Sequence, residues 1–476
     1  MKVEAKKVFA ALFALGLMTS AQAQSGSTAT CTISQAEFSK WFVSGKITQN
    51  GLVTFANSAG FPKNNTVCDF YKWSDQMFLW ITSPLGQSLV LNSAVFYDVN
   101  FNSSGQASYI PNGSGANATK SFKLRGAKQE RASQAAVNGS IQPAGQAGGN
   151  DTLVSLNGSL VYFGVHANDG FAWFNTAVIN NAAGFSASSP FPTTSAEMAK
   201  VVTYAASNGS KIGDAAALTM ELKTAWVDAQ TLTNPGDYVT MSASVPNYIG
   251  KVGDATWTIS TSTPTITKTL ALVGMHVVGP VQGHPEMVWA TVEHRNNAPD
   301  NSYFVSFGTS PVQAVPYNSS GTWQFMTNGG SQTGALVPMA TIDSTTGNVV
   351  ATSNKGIVQN NVYRVMPFGS PPTTQFANNN GQLVSLNKNV TSMLAGVKDV
   401  RSNYFLVGAV WTRNGSIPST GTDSTNQVGS LLLANSSMET YHQVDKQGCF
   451  GCHFASSSTA TSHLFSSTNI PLATSK

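Results

Sequence analysis

The spacing of apolar residues predicts only a few helices. From Asp69 to Ile81, aromatic and aliphatic residues recur at helical spacing, and we interpret this stripe as core packing. Ser34 and Glu37 have the spacing of a capping box, in which each side chain satisfies a free backbone donor at a helix start. Ser436 and Glu439 repeat that spacing. The pattern therefore predicts one long helix and two short ones.

Most of the remaining chain has the composition of β-strands. Short runs rich in β-branched and aromatic residues are separated by Gly, Asn, Ser and Pro, which favour turns. Ser103–Thr119 and Gln134–Asn150 contain few apolar residues and are predicted to be long surface loops. The sequence thus predicts a mainly β fold of the α+β class, one large body with a few flanking helices. The clearest strand candidates are Ser93–Val99, Leu153–Val165, Leu270–Val278, Met287–His294 and Tyr404–Trp411.

Composition narrows the function classes. Hydrophobic residues make up 41% of the 476-residue chain, which is enough for a substantial core, whereas only 10% of residues are charged. The 26 basic and 22 acidic residues become 23 and 21 when residues 1–23, with three Lys and one Glu, are removed. Because this balance creates no field of one sign, we expect no nucleic-acid partner and no attraction to anionic lipid.

The amino terminus has the order of a secretory signal peptide. Three lysines precede an apolar stretch from Val8 to Met18, and Ala21-Gln22-Ala23 then supplies small residues for cleavage. The apolar stretch is 11 residues long, whereas a membrane-spanning helix needs about 20. We therefore expect cleavage after Ala23 and a periplasmic or extracellular chain without a membrane span, a retained anchor being the alternative.

One motif carries recognisable chemistry. The run from Cys449 to His453 has the form C-x-x-C-H, the attachment signature of c-type haem. Two thiols three residues apart on a turn can each bond to one vinyl group of the haem, and the next residue then lies under the iron as its axial ligand. We therefore predict one covalent haem c held by Cys449 and Cys452, with His453 as the proximal ligand.

Other interpretations of the cysteines have less support. A structural zinc site needs four ligands, and no second close pair accompanies Cys449 and Cys452. A thioredoxin-like redox pair should lie between a strand and a long helix, but this pair is 24 residues from the chain end. A disulfide between them would leave His453 without a role. The other two cysteines, Cys31 and Cys68, are predicted to form a structural disulfide in an oxidising compartment.

The group that faces His453 across the iron decides the function. No Met follows Cys452, so a distal ligand is either His463 or a residue of the upstream chain. Upstream, His276 and His294 are the main distal candidates, ahead of His166 and His442. Acid–base or charge-stabilising groups beside an open haem are the alternative, and the candidates for them are Glu286, Glu293 and Arg295. A second metal site is less favoured by spacing, and it would use His284, Glu286, Glu293 and His294.

The chain resembles two groups of proteins. Through Cys449, Cys452 and His453 it is similar to c-type cytochromes, although their haem motif normally lies near the amino terminus of a small domain. Over most of its length it resembles a group of secreted bacterial proteins with one haem motif near the carboxyl terminus. That resemblance implies a continuous architecture that includes the haem segment, and it implies no particular activity. The segments that carry it are Trp73–Pro84, Lys223–Trp226, Leu272–Val278, Met287–His294 and Leu433–Tyr441.

These expectations lead to two main functional hypotheses. The first is electron transfer to a redox partner protein, by an iron with protein ligands on both sides. The second is a peroxidase or oxygenase, whose large body forms a pocket for a small-molecule oxidant or substrate over an open iron. A haem-bearing sensor is a third. We favour electron transfer, with a signal peptide at 1–23, a β-rich body at 24–434 and a haem attachment segment at 435–476.

Overall fold

The computed structural model describes residues 30–86, 88–102, 104–111, 150–420, 426–445 and 448–473. The predicted signal peptide and the predicted loop Gln134–Asn150, apart from Asn150 itself, lie outside these residues. The described residues contain six α-helices: α1 (Gln35–Ser39), α2 (Val67–Ile81), α3 (Asp169–Ile179), α4 (Ser195–Ser207), α5 (Ala377–Gly396) and α6 (Ser458–Thr461).

Strands outnumber helices in the described part of the chain, which confirms the predicted β-rich α+β class. These strands are β1 (Pro84–Leu85), β2 (Ser88–Leu89), β3 (Phe96–Phe101), β4 (Ala107–Pro111), β5 (Asp151–Thr152), β6 (Tyr162–Asn168), β7 (Glu221–Asp228), β8 (Thr240–Pro246), β9 (Tyr248–Ile249), β10 (Thr256–Ile259), β11 (Thr265–Val281), β12 (His284–His294), β13 (Tyr303–Val305), β14 (Gln313–Val315), β15 (Ala340–Ile342), β16 (Val349–Ala351), β17 (Tyr404–Thr412) and β18 (Gln427–Gly429).

One large antiparallel sheet organises the molecule. Its strand order is β18-β17-β12-β11-β7-β6-β3-β4, and β8 pairs with the first half of β11. The two central strands, β11 and β12, are 17 and 11 residues long and are largely buried along their paired length. A smaller sheet has the order β5-β15-β16-β10-β9, and β1-β2 and β13-β14 form separate hairpins.

The two faces of the large sheet have different covers. Because side chains alternate along a strand, Met275 and Val277 of β11 point to one face, where they join an apolar cluster with α2 and α5. We call this the helix face. On the opposite face, Val278 of β11 and Trp289 of β12 join a cluster with Phe450 and with α3 and α4. We call it the tail face, because residues 433–464 cover it.

The helix predictions are partly confirmed. α2 begins at Val67, two residues before the predicted start, because Thr66 N–H donates to the Asp69 carboxylate at 2.7 Å. α1 begins after Ser34 as predicted, since Glu37 N–H donates to the Ser34 hydroxyl at 3.1 Å. The predicted helix after Ser436 is wrong. Residues 436–442 form turns, and the next element is a 3-10 turn at Gln443–Asp445.

The strand predictions are correct in position and less accurate in extent. Leu270–Val278, Met287–His294 and Tyr404–Trp411 all lie within strands that are longer than predicted. Within Leu153–Val165, only Tyr162 onward belongs to a strand, although Val154 and Leu160 form an isolated bridge. Ser93–Val99 is displaced toward β3 at Phe96–Phe101. The loop predicted over Ser103–Thr119 is wrong at Ala107–Pro111, because β4 pairs there with β3.

The predicted disulfide between Cys31 and Cys68 is confirmed, with its Cα atoms 5.3 Å apart. It joins the segment before α1 to the first turn of α2. A disulfide of this kind indicates an oxidising compartment. Across the described ranges, the structure contains no helix long and apolar enough to cross a membrane.

Candidate haem site

The segment before the C-x-x-C-H motif is anchored to the tail face by buried hydrogen bonds. Ser436 N–H donates to the Glu293 carboxylate at 2.7 Å, and the Ser436 hydroxyl donates to it as well. The Asn435 amide donates to the Thr291 hydroxyl at 2.8 Å. Glu293 is fully buried, and Arg364 pairs with it at 3.1 Å. These bonds fix Asn435 and Ser436 to β12 at the point where the predicted helix would begin.

Close approach of the segment depends on two glycines. A Cβ atom at Gly274 in β11 would lie 2.6 Å from the Ser437 hydroxyl. Gly448, directly before the motif, has φ of 61°, and a Cβ atom there would lie 2.2 Å from the Leu431 carbonyl oxygen. Both positions therefore require glycine, the second for its backbone conformation as well as for space.

The motif itself forms a tight turn. Cys449–Gly451 is a 3-10 turn, and His453 N–H closes it by donating to the Cys449 carbonyl at 3.0 Å. Cys449 is half-buried and Cys452 is exposed, and both are free thiols. Burial raises the pKa of the Cys449 thiol, with further contributions from Glu439 and Cys452. Both thiols are therefore on one turn, and the Cys449 thiol is held in its protonated form.

The imidazole of His453 has a defined orientation. Its Nδ1 lies 2.9 Å from the Thr461 carbonyl oxygen, which can only accept, so Nδ1 carries the proton and donates. Nε2 is then the nitrogen with a lone pair for a metal. The ring contacts two others, Trp289 and His463, each with ring centroids 4.0 Å from its own. Among the sequence candidates, His463 is thus the histidine that the structure brings to His453.

A charged group lies on the tail face beside the motif. Lys223 of β7, His276 of β11 and Thr291 of β12 are register partners in one row across the sheet. The Glu439 carboxylate lies 2.9 Å from His276 Nε2 and 3.9 Å from Lys223 Nζ. Burial raises the pKa of Glu439, but His276, Lys223 and the Asn435 N–H together outweigh it and lower that pKa to about 2. Glu439 is therefore ionised, and its negative charge contributes to the raised pKa of the Cys449 thiol.

The next row of paired residues on the tail face also contacts the chain around the motif. Glu221, Val278 and Trp289 are register partners in β7, β11 and β12. The Ser462 hydroxyl donates to the Glu221 carboxylate, whose pKa burial raises to about 7. The Trp289 indole N–H donates to the Glu286 carbonyl at 3.0 Å, which fixes the ring that His453 contacts. The chain after the motif is thus bonded to the same face as the chain before it.

His294, the other main distal candidate, lies on the helix face. Its ring stacks on Tyr238 with centroids 3.8 Å apart and contacts Tyr404 edge-on at 5.1 Å. Nε2 lies 3.2 Å from the Asp237 carbonyl oxygen, and Nδ1 accepts from Asn296 N–H at 3.2 Å. Both ring nitrogens are therefore used, and burial lowers the pKa of His294 to about 3. The sheet separates this histidine from the motif.

The low pKa of His294 predicts acid destabilisation. In the unfolded chain a histidine has a pKa of about 6.5. As the pH falls from 6.5 toward 3, the unfolded chain binds a proton that the folded chain does not, so the free energy of unfolding falls. Between pH 7 and 5, we expect the free energy of unfolding to fall by about 1–2 kcal/mol more in the wild type than in His294→Gln. Gln retains an N–H donor for the Asp237 carbonyl and does not titrate. Urea denaturation at each pH measures the difference, and equal pH slopes would contradict the prediction.

The remaining predicted residues lie elsewhere. His284 Nδ1 is 2.9 Å from the Glu286 carboxylate, on buried strand β12, while His166 pairs with Asp98 at 3.0 Å. Arg295 is exposed just beyond β12. His442 is exposed and pairs with Asp445. Across the described residues, no three His, Cys, Asp or Glu side chains are arranged to hold a metal ion, and the proposed second metal site is not assembled.

Comparison with known proteins gives no further information about this site. No protein-family model, no curated protein and no solved structure matches the chain. The functional argument therefore depends on the residues themselves. The groups that sequence reasoning did not assign to the site are Glu221, Trp289, Glu439, Thr461 and Ser462.

Proposed function

We propose that the protein is an exported c-type monohaem protein that transfers electrons, with its haem bonded to Cys449 and Cys452 and ligated by His453. The observation that carries this proposal is the bond from His453 Nδ1–H to the Thr461 carbonyl, at 2.9 Å. Histidines that bind metals usually donate their other ring N–H to such an acceptor, which fixes the tautomer and the ring orientation. When bound, haem iron supplies a one-electron redox couple.

The positions of the two thiols on one turn and their free state both support haem attachment. Cys449 and Cys452 lie on the turn that His453 closes, so all three side chains start from one short stretch of backbone. Both are free thiols, and Cys452 is exposed, so that a haem can reach it from solvent. The disulfide between Cys31 and Cys68 supports an oxidising compartment, where disulfides persist. Export by residues 1–23 is part of the same proposal.

If haem is bound, the candidates for a second iron ligand are two histidines of the tail face. His276 lies next to Glu439 beside the motif, whereas His463 stacks on the His453 ring at 4.0 Å and would have to turn away from that ring to bind the iron. A second protein ligand would suit the iron to electron transfer.

One observation favours the alternative, a peroxidase or oxygenase. Glu439 bonds to His276 and forms an ion pair with Lys223 near the Cys449 thiol, and such groups can move protons during catalysis. In that case, a bound haem would have no second protein ligand and would supply peroxidase or oxygenase chemistry.

Absorption spectroscopy of the purified mature protein distinguishes the two. For electron transfer, we expect low-spin ferric and ferrous spectra that change slowly or not at all with cyanide or carbon monoxide. A high-spin resting spectrum with immediate ligand binding would overturn electron transfer in favour of the enzyme. We expect either His463→Ala or His276→Ala to convert the spectrum to high spin, whereas the exposed control His442→Ala does not. A wild-type protein without covalent haem would contradict both functions.

A further inference from the structure

A cavity of about 320 Å³ lies away from the motif, next to the His294 side of the sheet. We propose that this cavity binds a neutral ligand rich in hydroxyl groups, of the chemical class of sugars. The site is independent of the proposed haem. Its mainly polar lining includes Asn157, Asp237, Tyr238, Gly321, Trp323 and Gln324.

The polar lining suits hydroxyl groups. Five of its residues are Asn or Gln and two are Thr. Amide side chains both donate and accept hydrogen bonds, as each hydroxyl of a sugar does. Among the described residues, Asp237 is the single carboxylate of the lining, and no Lys or Arg lines the cavity. The lining therefore offers little attraction to an anionic ligand.

Gln324 places a buried amide in the wall of the cavity. The residue is 7% exposed, its side chain bonds to Tyr238, and among the described residues its Oε1 atom has no hydrogen-bond partner. The backbone of Gln324 is held on both sides, by Leu156 N–H at 2.7 Å and by the Asn296 carbonyl at 2.7 Å. The Gln324 amide therefore adds a fixed polar group to the wall of the cavity beside Tyr238.

Trp323 provides the apolar surface that a sugar ring needs. Its indole N–H donates to the Ser319 carbonyl at 2.9 Å, which fixes the ring while leaving it half-exposed. A Cβ atom at Gly321 would lie 3.1 Å from the Trp323 ring, so glycine keeps a side chain off it. Fixed aromatic faces offer a large contact area to the C–H face of a sugar, while the surrounding amides bond to its hydroxyls.

The chemistry of the cavity is binding without hydrolysis. Glycoside hydrolases generally use two carboxyl groups on either side of the scissile bond. This cavity is lined by one, Asp237. The Asp237 carbonyl accepts from the buried His294 and from the Asn403 amide at 2.8 Å, so this wall of the cavity is fixed to the sheet.

Isothermal titration of the full mature chain tests the proposal. The probes are glucose, maltose, cellobiose and diacetylchitobiose, with glucuronate as the anionic comparison. We expect at least one neutral probe to bind, and to bind more tightly than glucuronate. Trp323→Ala and Gln324→Met should each weaken binding by about tenfold or more, from the lost ring contact and the lost amide of the cavity wall. Trp323→Phe, which retains an aromatic face, should stay within about threefold of the wild type.

Three results would overturn the inference. One is the absence of binding by all four neutral probes at concentrations up to about 10 mM. Another is unchanged affinity in both Trp323→Ala and Gln324→Met, and the third is tighter binding of glucuronate. If Gln324→Met does not fold by circular dichroism, Asn157→Ala at the exposed rim replaces it with the same expected direction. Haem content does not enter the titration, so its outcome is separate from that of the proposed function.

Discussion

The double variant Cys449→Ala/Cys452→Ala is expected to lose covalent haem completely while keeping its fold. Both side chains are free thiols, one half-buried and one exposed, so their removal takes away little buried surface and no cross-link. Without a thiol, no bond to a haem vinyl group can form. Peroxidase staining after denaturing electrophoresis and the intact mass measure the attached haem, and circular dichroism measures the fold.

Single variants and a matched control sharpen this test. Cys449→Ala and Cys452→Ala should each retain one thioether bond and therefore still stain. Cys31→Ala/Cys68→Ala removes the same number of cysteines, those of the structural disulfide, and should retain the attached haem in whatever fraction folds. A Cys449→Ala/Cys452→Ala protein that still stains would refute attachment through the motif.

The sequence could have shown which candidate residues of β12 lie on the same face of the sheet. Strand alternation places Trp289, Thr291 and Glu293 on one face and His294 on the other. The structure uses the first set to hold the chain around the motif, whereas His294 is a hydrogen-bonded core residue. The C-x-x-C-H motif predicts Cys449, Cys452 and His453 as haem-binding residues from the sequence alone, and this stays a prediction. The sequence did not show which face of β12 the motif residues would contact, because tertiary packing determines that.

The helices show which features local sequence patterns can predict and which they cannot. α4 begins at a capping box, Thr194 with Glu197, whose spacing is visible in the sequence. α3 is apolar on nearly all sides, so it has no helical stripe to find. α5 is rich in Asn and polar for most of its length, and its helical state depends on packing Leu383, Leu386 and neighbouring residues into the core. The false helix after Ser436 shows the opposite case, in which tertiary bonds to Glu293 override a local capping signal.

The anchoring of residues 435–440 links the candidate site to the stability of the whole sheet. The contacts that fix Ser436 and Asn435 come from β12, which is central to the large sheet. The motif therefore does not lie in a separate small domain of the cytochrome type. A change to the buried charges under Ser436 acts on the fold and on the site together.

Arg364→Met is accordingly expected to lower the free energy of unfolding by about 3–5 kcal/mol, because it leaves the fully buried Glu293 carboxylate without its partner. Arg364 is 3% exposed and also donates to the Ala298 carbonyl at 2.7 Å and to Asp300 at 2.8 Å. Urea denaturation measures the loss. The matched control is Arg295→Met, on the exposed turn after β12, which should change the free energy of unfolding by no more than about 0.5 kcal/mol.

A second substitution separates loss of charge balance from loss of packing. Adding Glu293→Gln to Arg364→Met removes the unpaired charge but keeps an acceptor for Ser436 N–H, so the double variant should recover part of the lost stability. Equal stability of the single and double variants would show that packing, and not the buried carboxylate, dominates. A loss below about 1 kcal/mol in Arg364→Met would contradict the role of this ion pair in holding the segment to the sheet.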